Sequence, residues 1–123
     1  TYMEISHESL QQRASGLFLY FLRDDFASKF RKMLIAEQYR NELARLTLQN
    51  YFFDSPINFQ TKLFKSMIIG GTFRDFDPHI MALHFYSPIF LLLNKYDYNQ
   101  DNETEALSVL AKHVKQFSEI YCI

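Results

Sequence analysis

Residues 77–96 read DPHIMALHFYSPIFLLLNKY and decide how the rest of the chain must fold. Between Ile80 and Leu93, the strongly polar side chains are those of His84 and Ser87. A helix that is apolar on nearly every side has to be covered on every side. One flank can pack on the rest of this short chain, and we expect a second subunit to cover the opposite flank. The stretch therefore predicts a helix that is both core and dimer interface.

The boundaries of this helix are marked by specific residues. Asp77 can accept hydrogen bonds from free amides, and Pro78 falls at the first helical position, where a missing N–H has no cost. Pro88 cannot donate to the carbonyl of His84, so a kink is predicted there. A membrane span is not predicted, because the apolar run is shorter than the roughly 18 residues required and includes His84 and Pro88.

Length and composition indicate one helical domain, covering residues 1–123. The chain has 17% aromatic residues and only three Gly and three Pro, which favours long helices with few tight turns. A net charge of −1 gives no field to attract a phosphate backbone, so this chain alone should not bind DNA. The single cysteine, Cys122, excludes a disulfide framework and fits a reducing cytoplasm. The first eight residues do not resemble a signal peptide, and a start at Thr1 instead of Met suggests a fragment.

Apolar residues recur at helical spacing on both sides of the central stretch, and six helical segments without a strand are predicted. Gln11, Gln12 and Arg13 are expected on the solvent side of the first helix, and Lys29, Arg31 and Lys32 on that of the second. The predicted inward faces carry Leu10, Ala14, Leu17, Phe18 and Phe21; Phe26, Phe30, Met33 and Leu34; Leu43, Leu46, Leu48, Tyr51 and Phe52; Phe59, Leu63, Phe64, Met67 and Ile68; and Leu107, Leu110, Val114, Phe117 and Tyr121.

Short polar segments separate these helices. We predict N-terminal caps at Asn41, at Asp54 before Pro56, and within 23–25, where a carboxylate follows an apolar run. Residues 70–71, both glycine, are predicted to end a helix, with Phe73 folding back over its last turn. Residues 97–102 are predicted as a polar loop, with Asn102 and Glu105 at capping-box spacing before the last helix.

The sequence offers little from which to build an enzyme. His79 and His84 are five residues apart and so lie on different faces of a helix, unlike paired metal ligands. A glycine-rich phosphate loop, a nucleophile elbow and a CxxC motif are all missing from the sequence. Neighbouring carboxylates, such as Asp24 with Asp25, are interpreted as helix caps. No enzymatic activity, metal or cofactor is expected.

Four strings carry a resemblance to a known family: 26–34 (FASKFRKML), 37–41 (EQYRN), 51–53 (YFF) with Pro56, and 80–89 (IMALHFYSPI). Together they resemble the C-terminal regulatory domain of TetR/AcrR-family transcriptional repressors, over residues 10–121. The resemblance implies an all-helical domain that dimerises through its last two long helices, here about residues 78–95 and 103–121, as a four-helix bundle. The helix-turn-helix head of the family is missing from this chain, so DNA binding would belong to the intact protein.

In such regulators a small molecule enters the helical bundle and changes the spacing of the two DNA-reading heads, because it binds two arrangements of the dimer with different affinity. A small hydrophobic or aromatic effector is expected, since an apolar pocket with a few polar groups suits such a ligand. The candidate ligand-binding residues are Phe18, Phe21, Phe30, Met33, Tyr51, Phe59, Leu63, Met67, His84 and Tyr86. The candidate residues of the homodimer interface are Leu83, Phe90, Leu92, Leu107, Leu110, Val114, Phe117 and Tyr121.

Two alternatives stay open at the level of sequence. A stripe of Phe and Met at helical spacing is also ordinary core, and His84 and Tyr86 suit a core or interface as well as a pocket. The domain would then be a purely structural dimerisation module with a fully packed interior and no ligand. An enzyme inside the bundle would require buried carboxylates clustered around His84.

Overall fold

The computed structural model describes residues 7–96 and 102–123 and shows an all-helical fold. The elements are α1 (His7–Arg23), α2 (Asp25–Glu37), α3 (Glu42–Leu48), a π-helix (Gln49–Asp54), α4 (Ser55–Ile69), α5 (Pro78–Lys95) and α6 (Glu103–Tyr121). Within the described residues, β-pairing is limited to an isolated bridge between Phe73 and Cys122. The prediction of an all-helical chain is confirmed, whereas the polar loop predicted at 97–102 lies almost entirely outside the described residues.

Three helices begin at side-chain caps. Asp24 accepts from the amide of Ala27 (2.8 Å), and Asn41 accepts from the amide of Ala44 (3.1 Å). Asp77 accepts from the amide of His79 (2.9 Å), with Pro78 in the first turn of α5. These predicted caps are confirmed. The capping box predicted before α6 is wrong, because the side chain of Asn102 makes no capping hydrogen bond.

The joint between α3 and α4 is a π-helix instead of a break. Asp54 was predicted to cap a helix restarting at Pro56, but its backbone is helical (φ −69°, ψ −45°) and its side chain caps nothing. Pro56 lacks the N–H that an α-helix would direct to the carbonyl of Phe52, four residues earlier. The widened turns of Gln49–Asp54 carry the chain past this missing donor without interrupting the helix.

The end of α4 follows the prediction made from its glycines. Gly71 has φ +82°, a left-handed conformation that suits glycine. The amides of Thr72 and Phe73 then both donate to the carbonyl of Met67 (2.9 and 3.2 Å). The ring of Phe73 packs 5.3 Å from that of Phe64, so the predicted fold-back over α4 is confirmed.

The core lies where α5 packs against α4 and where α6 packs against α1. Phe64, Phe73, Phe85 and Phe117 come from four different segments and are fully buried, with ring centroids 5.3–6.0 Å apart. Such tilted and edge-on contacts between buried rings are favourable beyond the burial of area alone. Rings from α4, the following loop, α5 and α6 thus meet in one cluster within the core.

Several residues predicted at the dimer interface lie inside this core. Leu110, Val114 and Phe117 have no exposed surface, Leu92 is 3% exposed and Tyr121 8%. The three-four spacing in α6 reports that another helix packs along it, but not whether that helix belongs to the same chain. Here the helices packed along α6 are α1 and α5 of the same chain. Of the predicted interface set, only Leu83, Phe90 and Leu107 keep access to solvent.

A second correction concerns Arg31, which was predicted to face solvent with Lys29 and Lys32. Its side chain is fully buried, and Nη1 donates to Oδ1 of Asn94 on α5 (3.1 Å). The amide of Asn94 donates in turn to the carbonyl of Phe90 (2.8 Å). A buried guanidinium is tolerated where hydrogen bonds replace its hydration. Arg31 therefore joins α2 to α5 through a polar contact that apolar periodicity does not reveal.

Candidate functional site

A cleft of ligand size opens between α1, the π-helix and α4, and we call it the α1–α4 cleft. Its volume is about 590 Å³, within the range of roughly 300–1,000 Å³ usual for small-molecule sites. Most of its surface is apolar. The residues that line it are Gln12, Arg13, Gly16, Leu17, Tyr20, Phe21, Tyr51, Ser55, Pro56, Phe59 and Gln60.

Gly16 faces open space in this cleft. It lies in the middle of α1, where glycine costs roughly 0.5–1 kcal/mol relative to alanine. A Cβ atom built on Gly16 would meet nothing within 4 Å, so the backbone of α1 faces open volume at this point. The side chains of Tyr20 and Phe59 are both more than half exposed and lie at the edge of the cleft.

Arg13 is the only charged side chain among the described residues that line the cleft. It is half-buried, and its guanidinium carbon lies 5.0 Å from the centre of the Phe59 ring. Within the described part of the chain, its buried Nε–H has no hydrogen-bond acceptor and no carboxylate pairs with it. Burial lowers the pKa of Arg13 from its ordinary value, because a desolvated cation is disfavoured. An arginine is nevertheless cationic at neutral pH.

Gln60 supplies a second polar group. It is only 4% exposed, and its side-chain oxygen is buried with no hydrogen-bond partner among the described residues. Most buried polar atoms in proteins are hydrogen-bonded, so an exception that lines a cleft calls for an explanation. Arg13 on α1 and Gln60 on α4 therefore bring two incompletely bonded polar side chains to one largely apolar cleft.

The predicted ligand-binding residues do not form one pocket. Phe21, Tyr51 and Phe59 line the α1–α4 cleft. Tyr86 lines a second cleft of about 500 Å³, which we call the α5 groove; its residues are Phe53, Ile57, Leu83, Tyr86, Ser87, Phe90, Leu91 and Asn94. Phe30 and Met33 line a third, of about 320 Å³, between α2 and α3.

The other four predicted ligand residues lie elsewhere. Phe18 and Met67 are fully buried in the core, and Leu63 packs against that core. His84 lines none of the three clefts. Apolar periodicity finds the inward face of a helix, but a core position and a pocket wall have the same pattern. The placement of Phe18, Leu63, Met67 and His84 is therefore a correction to the single predicted pocket.

Arg13, Gly16 and Gln60 line the cleft but were not among the predicted ligand-binding residues. Arg13, Gly16 and Tyr20 recur at spacings of three and four, so they share a face of α1 beside the fully buried one. The available signal was Gly16, since a glycine inside a helix commonly has a packing or functional reason. Gln60 gave no signal of its own, because a glutamine at helical spacing is compatible with a solvated face.

His84 belongs to a cluster with His113, Phe117 and Tyr121 between α5 and α6. Its Nδ1 lies 3.1 Å from the Tyr121 hydroxyl, and the two imidazole rings are 5.6 Å apart. His113 donates from Nε2 to the carbonyl of Phe85 (3.2 Å). The pKa of His113 is lowered, chiefly by burial and less by His84, while the bond to Phe85 opposes the shift. Among the described residues, no three His, Cys, Asp or Glu side chains come together as metal ligands.

None of the described helices combines the length and the apolar character needed to cross a bilayer. No protein-family model, curated protein or solved structure matches the chain.

Proposed function

We propose that this chain is the effector-binding and dimerisation domain of a TetR-like transcriptional regulator, acting in the cytoplasm. The observation that carries the proposal is the α1–α4 cleft, which has ligand size, an apolar lining and three of the predicted ligand residues, Phe21, Tyr51 and Phe59. The ligand is a small, mainly hydrophobic molecule. DNA binding belongs to the intact regulator.

The position of the cleft suggests how a ligand acts. Its walls belong to α1 on one side and to the π-helix and α4 on the other. In the family that the sequence resembles, the DNA-reading head precedes the regulatory domain. The first helix of this domain, α1, is therefore the helix nearest to that head along the chain. A ligand that binds more tightly at one separation of α1 and α4 shifts the population of dimer arrangements toward it. The size of the shift is set by the difference in its binding free energy between the two arrangements.

The dimer face is proposed on the outer side of α5 and α6. Ile80, His84 and Leu91 share one face of α5, because they recur at spacings of four and seven. Val109, His113 and Ile120 repeat the same spacings on α6. The contact between His84 and His113 shows that these two faces adjoin.

The flanks of this histidine pair are apolar and exposed: Ile80, Leu83 and Leu91 on α5, and Val109 and Ile120 on α6. An apolar surface across two helices is typical of an interface. The α5 groove, with Leu83 and Leu91 in its wall, continues this surface. This assignment replaces the buried positions in α6 that the sequence pattern indicated.

A purely structural dimerisation domain is the second candidate. It is favoured by the fully buried rings of Phe64, Phe73, Phe85 and Phe117, which fill the middle of the bundle and leave the cleft at its side. Both candidates require the dimer. Only the first requires that the cleft bind a ligand.

Ligand screening by thermal shift, with Gly16→Leu as a blocked variant, separates the two candidates. A leucine at position 16 fills open volume, and it also favours the helix. We expect some apolar or aromatic compounds to raise the melting temperature of the wild-type chain and of Gly16→Ala, but not that of Gly16→Leu. If no compound stabilises the wild type, or if stabilisation is equal in Gly16→Leu, ligand binding in this cleft is rejected and the structural role is favoured.

A further inference from the structure

We propose that the ligand of the α1–α4 cleft is an amphipathic monoanion, a carboxylate on an apolar chain or ring, whose charged end binds between Arg13 and Gln60. The proposal rests on the ligand-binding function proposed above and names the chemical class of that ligand.

The positive charge of Arg13 indicates that the ligand is negatively charged. Taking a guanidinium partly out of water is costly, and proteins usually offset this cost with a carboxylate or with hydrogen bonds. The described structure offers Arg13 the face of the Phe59 ring, 5.0 Å away, while the Nε–H stays unbonded. A carboxylate is the group that a guanidinium binds best, because two oxygens accept from two parallel N–H groups. A ligand carboxylate would therefore supply the negative charge and the hydrogen-bond acceptor that the described residues do not offer Arg13.

The position of the Arg13 guanidinium over the Phe59 ring also prepares the site. A guanidinium that lies over an aromatic ring keeps its N–H edge free to donate in its own plane. Holding Arg13 in place before binding reduces the side-chain entropy lost when a ligand arrives. Phe59 is more than half exposed and thus contributes to the site more than to the core.

Gln60 supplies the second hydrogen bond. Gln60 lines the cleft, and its amide oxygen is buried without a hydrogen-bond partner among the described residues. A half-turn about the last side-chain bond exchanges this oxygen with the NH₂ group, which can donate to a carboxylate oxygen. Because an unbonded buried amide is unfavourable on its own, the ligand would satisfy a group that the free protein leaves incomplete.

The rest of the lining defines the body of the ligand. Beyond Arg13 and Gln60, the cleft offers Leu17, Phe21, Pro56 and the aromatic faces of Tyr20, Tyr51 and Phe59. One cation among the described lining residues suits one negative charge, whereas a nucleotide or a sugar phosphate requires more donors. An unbranched fatty acid or an aromatic carboxylic acid meets both conditions.

The test compares dodecanoate with dodecan-1-ol, which has the same chain and no charge, by calorimetry below their micelle or solubility limits. We expect the wild-type chain to bind dodecanoate at least about tenfold more tightly than the alcohol, as one charge-assisted hydrogen bond predicts. Arg13→Met keeps the length of the stem and removes the charge, so it should abolish this preference by weakening dodecanoate binding far more than alcohol binding. Gln60→Leu should weaken dodecanoate binding several-fold, and more than it weakens alcohol binding.

The controls separate this inference from the proposed function. Gly16→Leu should reduce binding of both compounds. If both bind the wild type equally and Arg13→Met changes neither affinity, the anionic class is refuted although the apolar cleft still binds ligands. If neither compound binds, and the screen of uncharged compounds also fails, the ligand-binding function itself is refuted. Circular dichroism verifies that each variant is folded.

Discussion

The hydroxyl of Tyr86 on α5 donates a hydrogen bond of 2.6 Å to the backbone carbonyl of Phe52 in the π-helix. Pro56 cannot supply the α-helical donor for that carbonyl, so a side chain from another helix takes the role. Both groups are buried, and burial raises the pKa of the Tyr86 phenol above its ordinary value, although nearby Arg31 opposes the shift. This hydrogen bond therefore ties the irregular joint between α3 and α4 to the central helix.

Replacement of Tyr86 by Phe should lower the free energy of unfolding by about 1–3 kcal/mol, the usual cost of leaving a buried acceptor without its donor. Chemical denaturation measures the change. Tyr39→Phe is the matched control, because Tyr39 is 92% exposed, and its stability should equal that of the wild type. Equal stability of Tyr86→Phe and the wild type would show that the carbonyl of Phe52 is satisfied without the phenol.

Two phenylalanines of α4 should respond very differently to truncation. Phe64→Ala should cost about 3–5 kcal/mol, because the ring is fully buried among other rings. Phe59→Ala should cost less than about 1 kcal/mol, because more than half of that ring is exposed. Sequence pattern alone placed both rings on the inward face of the helix. Similar melting temperatures for the two variants would contradict the structural assignment.

His113 should make the fold less stable in acid. Its pKa is below the ordinary value of 6.5 in the folded chain, so the unfolded chain takes up the proton first as the pH falls. The free energy of unfolding should then decrease from about pH 7 down to the lowered pKa, where the loss levels off.

His113→Gln keeps a donor near the carbonyl of Phe85 and removes the titration. Denaturation curves between roughly pH 8 and pH 5 should show a smaller loss of stability for this variant than for the wild type. Parallel curves for the two proteins would mean that other groups carry the acid sensitivity.

The proposed dimer face yields a contrast between two leucines. Leu91→Glu, on the outer face of α5 and 64% exposed, should dissociate the dimer without unfolding the subunit. Leu110→Glu places a charge in the core of one chain and should unfold it. Sedimentation reports the mass, and circular dichroism reports the helix content. A dimer of unchanged affinity in Leu91→Glu would exclude this face.

The elements of the fold were largely predictable, because their signals are local. Asp24, Asn41 and Asp77 cap helices through hydrogen bonds that span two or three residues, and Gly71 ends a helix through its own φ angle. The partners of each helix were not predictable in this way. Leu110 and Phe117 show that α6 packs along other helices, but only the tertiary arrangement shows that α1 and α5 of the same chain are among them.

The residues that line the candidate site were harder to predict from the sequence. Phe21, Tyr51 and Phe59 carry the same periodic signal as Phe18 and Met67, which are core. Arg13 and Arg31 both had the spacing of solvated residues, yet one is half-buried in the cleft and the other is fully buried. Long basic side chains can follow apolar surface inward, so their burial depends on what the neighbouring helices leave open.

The π-helix has a mechanical consequence. Tyr51 and Phe53, two residues apart on this one wide turn, form walls of two different clefts: Tyr51 in the α1–α4 cleft and Phe53 in the α5 groove. Any displacement of the turn changes the widths of both clefts together. A ligand that displaced this turn from one cleft would therefore also reshape the other, through two residues of backbone.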